Sequence, residues 1–199
     1  MKTISHVYDS YGQAKSVVEE LEANGISHKD ITLVANRYVS KAYEDATDTT
    51  GAETGAGVGA IAGGGAGLLA GLGLLAIPGL GPVVAAGWAA AAAVGAMAGA
   101  AGGVAIGGLV DILTTSGESE EYAHVYTEAV RRGGTLVSAR VADEDADRVR
   151  AIFIKHDPID PDLRGREYRA GGWTRFDPRG EPYRPSPSEI ERIRMGGYL

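Results

Sequence analysis

The chain has 199 residues, with 26 acidic and 19 basic side chains and a formal net charge of −7. That balance excludes a general nucleic-acid binder, which needs a basic patch to displace phosphate counterions. The absence of cysteine excludes disulfides, thiolate zinc sites and cysteine nucleophiles.

The stretch TISHVYD (residues 3–9) reads as a strand with Ile4 and Val7 directed inward. Ser10 and Gln13 form a capping box that opens a helix through Asn24, with Ala14, Val17, Val18 and Leu21 on one face and Gly25 as its stop. DITLVAN (residues 30–36) follows as a second strand that buries Ile31, Leu33 and Ala35.

Charge then disappears. Residues 54–110 contain no Asp, Glu, Lys, Arg or His. Within this block Gly55, Gly59, Gly63, Gly67 and Gly71 recur every fourth residue, and Gly95, Gly99, Gly103 and Gly107 repeat the pattern, extended backwards by Gly87 and Ala91. Residues four apart share a helical face, so each row would leave a groove without side chains. PGLGP (residues 78–82) is a helix breaker between the two rows. The expectation is a glycine-zipper helical hairpin, with arms from Gly55 to Ala76 and from Val83 to Val110, packed by small-residue contacts. Glycine disfavours an isolated helix by about 1 kcal/mol per residue against alanine, so such arms need one another, another subunit or a bilayer. Membrane association through residues 54–110 is therefore one expectation, with Trp88 as an interfacial aromatic. A soluble core of packed hairpins is the other.

Beyond the block, GESEEYAHVYTEAVRRGG places Tyr122, Val125, Tyr126, Ala129 and Val130 at helical spacing. Acids open this helix and arginines close it, as the helix dipole favours. TLVSARV (residues 135–141) reads as a third strand, and DEDADRVRAIFIKH as a helix with Ala146, Val149, Ile152 and Phe153 inward. The expected fold is α+β, a small ferredoxin-like α/β sandwich split by the helical hairpin. It divides into residues 1–50 and 113–156 as the two halves of the sandwich, 51–112 as the hairpin, and 157–199 as a C-terminal arm.

The arm interleaves Tyr168, Trp173, Phe176 and Tyr183 with arginines and six prolines. Aromatic and arginine side chains together suit a protein interface, so an extended arm that wraps its own domain or a neighbouring subunit is expected, ending in a short helix around SPSEIERIRM. HDPIDPD brings His156, Asp157, Asp160 and Asp162 close in sequence, but the Asp-Pro steps read as turns rather than metal ligands. Fragments of a dinucleotide fingerprint around Gly55, Gly57 and Gly59 lack the preceding strand and the following acid. No catalytic residue, cofactor, metal, nucleic acid or small-molecule ligand is expected.

Two stretches, HVYDSYGQAKSVVEELEANGISHKDITLVAN and GGTLVSARVADEDADRVRAIF, resemble bacterial heat-induced stress proteins, the general stress protein 17M-like domain. The resemblance implies a stress-linked, non-enzymatic role. The long insertion departs from compact members of that family. Two functions fit these features: a self-assembling structural stress protein that associates with a membrane, and a soluble oligomeric regulatory or ligand-binding domain whose hairpins form a buried core. The N-terminus MKTISHVYDSYG lacks the basic start and apolar run of a secretory signal, so the expected location is the cytoplasm or the cytoplasmic side of a membrane.

Overall fold

The computed structural model describes residues 1–36, 73–77, 80–88, 108–181, 186–188 and 191. Its elements in chain order are β1 (Lys2–Tyr8), α1 (Tyr11–Ala23), β2 (Ile31–Asn36), β3 (Gly73–Ile77), β4 (Gly81–Gly87), α2 (Leu109–Thr115), α3 (Glu120–Arg131), β5 (Thr135–Val141), α4 (Ala146–Lys155) and α5 (Pro161–Ala170). Single 3-10 turns, His28–Asp30 and Asp143–Asp145, lead into β2 and α4.

The strands form one antiparallel sheet in the order β1-β5-β2-β4-β3. β1 and β2 therefore run parallel with β5 inserted between them, so the two sequence halves share a sheet as expected. The ferredoxin-like detail is not confirmed: among the described residues β1 lies at an edge of the sheet, whereas such a layout carries its first strand inside. The fold class, mixed helix and strand, stands.

Helices cover both faces. Ile4, Ile31, Leu33, Ala35, Val137 and Ala139 pack with the apolar stripes of α1 and α4 in one core. On the opposite pleat Val7, Val34, Val83, Ala85 and Leu136 pack with Leu109 and Leu113 of α2 and with Ala123, Tyr126 and Ala129 of α3. The two-sided cover explains why every residue of β2, ITLVAN, is buried rather than every second one.

The helix boundaries follow local chemistry. Ser10 Oγ accepts from Gln13 N at 3.1 Å while the Gln13 side chain accepts from Ser10 N at 3.2 Å, the reciprocal pair that the sequence suggests. Gly25 supplies the left-handed stop, with φ of +85°. Ser119 caps α3 by accepting from Tyr122 N.

The apolar block is where expectation and structure part. Residues 73–76 and 83–87, expected inside the two helical arms, are instead strand: they belong to a hairpin of β3 and β4 added to the sheet beside β2. Of the PGLGP stretch, Leu80 is fully buried and Gly81 and Pro82 already belong to β4, paired with Ile77 and Ala76 of β3. The physical reason is burial: Val83 and Ala85 fill the second core against Leu109 and Leu113, a contact that a pleated strand offers at every second residue. Leu109 and Val110, expected as the end of the second arm, instead begin a separate short helix, α2, with Gly108 as its N-cap. The remainder of the expected zipper, residues 54–72 and 89–107, lies outside the described residues.

The arm also differs. Residues 161–170, expected as turns and extended chain, form α5. Asp160 accepts from the backbone N–H groups of Asp162 and Leu163, and Pro161 occupies the first helical turn, where its missing N–H is no loss.

Candidate functional site

Two surfaces meet in this fold: the root of the charge-free insertion, and the seat of the arm. At the root, Gly73 lies opposite Ala85, and Gly87 at the end of β4 lies opposite Thr32. Because β3 and β4 are antiparallel neighbours, the chain enters β3 and leaves β4 at the same end of the sheet. The two glycine-periodic stretches of the sequence are thus rooted side by side.

Gly87 has a role the spacing argument did not foresee. Its φ is +86°, and a Cβ placed there would stand 1.8 Å from the Ile31 carbonyl oxygen. It is glycine because the end of β4 turns in a left-handed conformation directly against β2, so its membership of a helical zipper row is corrected. Next to it Trp88 is half-buried beneath Arg140, whose guanidinium carbon lies 4.8 Å from the ring centroid. The root of the second stretch is thereby pinned to β5. Gly55, Gly59, Gly63, Gly67, Gly71, Gly95, Gly99, Gly103 and Gly107 lie outside the described residues.

A row of small polar residues crosses the same sheet face: Ser5, Ser138 and Thr32 are register neighbours on β1, β5 and β2. All three are buried. Ser138 Oγ donates to Ser5 Oγ at 2.9 Å. Ser5 also hydrogen-bonds Glu118, whose carboxyl is pushed above its ordinary range by burial.

Glu118 lies at one side of a cleft of about 550 Å³ between α2, α3 and the arm. Asp111 and Thr114 line it from α2, His124 from α3, and Arg175 and Phe176 from the arm. Its chemistry is limited by what these groups already do. Thr114 Oγ1 donates to the Val110 carbonyl of its own helix at 3.0 Å. His124 presents Nε2 to Glu120 at 3.8 Å, and its Nδ1 is closed off from solvent without a partner. Among the residues lining it, no hydroxyl stands against a histidine that is itself oriented by a carboxylate, one arrangement that activates a nucleophile. Among the described residues no group of three His, Asp or Glu side chains is placed to hold a metal ion.

The arm seat is the more elaborate surface. Ile159 N donates to the Val7 carbonyl at 2.8 Å, closing part of the free edge of β1. Arg164 Nη1 and Nη2 each donate to a carboxylate oxygen of Asp9 at 2.9 Å, and that pairing holds the guanidinium firmly charged. Tyr122 donates to Asp162, and Arg169 pairs with Glu121. Three of the four expected arm aromatics are placed. Tyr168 is buried with the Arg132 guanidinium 4.3 Å above its ring and Trp173 edge-on at 5.6 Å. Phe176 is buried in the second core. Tyr183 lies outside the described residues.

The side chain that organises this seat was not singled out by spacing. Glu128 on α3 is fully buried and accepts from Arg131 Nε at 2.9 Å and Nη2 at 2.5 Å, and from Arg132 Nε at 2.6 Å. Arg131 then donates onward to the Glu181 carbonyl at 3.2 Å, and Arg132 stacks on Tyr168. The EAVRR stretch, read as a dipole-matched helix end, is also the anchor of the arm. The HDPIDPD group disperses into structural roles: His156 meets Glu20 at 2.7 Å, Asp160 caps α5 and Asp162 accepts from Tyr122.

A two-faced α+β domain with a charge-free insertion and a strapped-on C-terminal arm is the class of protein these features define. Residues 3–75 match the family model of the heat induced stress protein YflT domain, so the resemblance to general stress proteins holds over β1, α1, β2 and the start of β3. No curated protein and no solved structure matches the chain.

Proposed function

We propose that the protein is a non-enzymatic, stress-associated structural protein that self-assembles through its charge-free insertion. The family match supports the stress-associated role. The observation that carries the assembly reading is the shared root: the two glycine-periodic stretches join adjacent strands at one end of the sheet, beside Gly73 and Gly87. Tethering their ends side by side raises the effective concentration of one stretch at the other, which lowers the cost of their pairing. Rows of bare glycine then offer backbone-close contact between stretches of the same chain or of neighbouring copies.

The same uncharged stretch supports bilayer association as the finer part of the proposal. Among the described residues no helix is long and apolar enough to cross a membrane; the proposal places bilayer contact in the uncharged residues 54–72 and 89–107. Flotation of purified protein with and without liposomes tests this part. Co-flotation that depends on lipid supports it, and protein that stays at the bottom of the gradient leaves assembly alone as the function.

A further inference from the structure

We propose that the C-terminal arm exchanges between two copies of the chain about a hinge at Asp157–Pro158. Three observations converge on this.

First, the arm is a preformed unit. α5 carries its own cap at Asp160, and Tyr168 and Trp173 pack on each other beyond it. These contacts within the arm are kept when it changes seat.

Second, its seat is not the helix it leaves. The arm follows α4, yet it is held by Val7 and Asp9 at the end of β1, by Glu121 and Val125 on α3, and by Arg131 and Arg132. All of these lie across the hinge, so a second copy offers an identical seat. Exchange then gains and loses the same contacts, and the hinge and the protein concentration decide the balance.

Third, the hinge is strained in the closed form. Asp157 has φ of +55°, the one non-glycine residue among those described with positive φ. It also precedes Pro158, whose ring disfavours helical conformations at the preceding residue and favours extended ones. Opening the hinge lets Asp157 become extended, whereas the closed arm holds it left-handed. Short strained hinges are the positions that favour exchange. This inference does not rest on the insertion reading, which concerns a different surface.

The chain contains no cysteine, so introduced thiols report cleanly. A Cβ built at Gly165 lies 3.2 Å from Val125 Cγ2, within reach of a disulfide. One full-length preparation carries Val125→Cys and a second, with a mass tag, carries Gly165→Cys. The two are unfolded, mixed, refolded together and oxidised. Arm exchange yields a disulfide-linked heterodimer whose amount rises with protein concentration and falls several-fold when Asp157→Gly is added to both chains. Should Gly165→Cys fail to fold, the exposed ion-pair partners Glu121→Cys and Arg169→Cys serve in the same format. Absence of the heterodimer at all concentrations, while a control chain carrying both cysteines closes within itself, overturns the proposal. Assembly through the insertion alone would not produce this specific cross-link, so the two readings fail separately.

Discussion

Arg164 and Asp9, 155 residues apart in sequence, meet through two parallel hydrogen bonds of 2.9 Å. The pair joins α5 of the arm to the turn between β1 and α1. Its geometry is bidentate, but the Asp9 side chain is 46% exposed, so solvent screening limits its worth. Arg164→Ala is expected to destabilise the protein by about 1 kcal/mol, and Arg164→Lys by a similar amount because an ammonium cannot reproduce the fork. Urea unfolding measures both. The ion pair is also expected to weaken with salt, so the gap between wild type and Arg164→Ala narrows as ionic strength rises.

Gly87→Ala distinguishes strand from zipper. In a helical small-residue row, alanine is an acceptable replacement and favours the helix by about 1 kcal/mol. At the end of β4, however, the added methyl meets the Ile31 carbonyl and the backbone is left-handed. The expected outcome is a loss of more than about 3 kcal/mol, read by thermal or urea unfolding. Unchanged or increased stability would contradict the placement of β4.

Burial, with the nearby Arg150 adding to it, pushes His6 down to about 4. Its ring lies 5.3 Å from Phe153, and Nδ1 is shielded without a hydrogen-bond partner. The folded state therefore holds the neutral imidazole, while the unfolded chain takes up a proton at the ordinary value near 6.5. Between those two values the unfolded state binds more protons, so stability rises with pH. It is fully present above about 6.5 and falls as pH drops toward 4, by up to about 3 kcal/mol. His6→Phe is expected to flatten this part of the stability–pH curve. The Glu20 carboxyl, lowered by Lys155 and His156, contributes a separate loss at still lower pH.

Replacing the buried carboxylate of Glu128 by an amide removes its charge and one of the two oxygens that accept from Arg131 and Arg132. Both guanidinium groups reach solvent in part, with side-chain exposures of 25% and 46%, so the cost is below that of an enclosed charge. Glu128→Gln is expected to destabilise by about 2 kcal/mol and to loosen the arm at Glu181 and Tyr168. Limited proteolysis at the arm, faster in the variant than in wild type, is the accompanying readout.

Much of the domain was legible because its signals were local. The capping box at Ser10 and Gln13, the stop at Gly25 and the apolar stripe Ala146, Val149, Ile152, Phe153 each specify a helix within a few residues. The strands β1, β2 and β5 showed as short apolar runs between turns. β3 and β4 did not, because glycine and alanine dominate their surroundings and a four-residue glycine period mimics a helical face. What decides for strand there is the partner β2 and the core residues Leu109 and Leu113, both distant in sequence. α5 was hidden for a related reason: Asp160 and Pro161 read equally as a turn or as a helix start, and Arg164 with its distant partner Asp9 marks the choice. The arm aromatics Tyr168 and Phe176 were recognisable as anchors by composition, whereas Glu128 was not, since a glutamate in an amphipathic helix gives no sign of being buried.

Assembly through the insertion sets the particle mass of the full chain in detergent-free buffer, and that mass is the decisive measurement. Sizing with light scattering on wild type is compared with the double variant Gly63→Leu and Gly99→Leu, in which two bare positions of the glycine rows are filled. Wild type is expected to form a defined multimer and the variant to collapse to smaller species, with the α/β domain still folded by circular dichroism. A wild type that runs as a monomer at all concentrations, or a variant of unchanged mass, would contradict it.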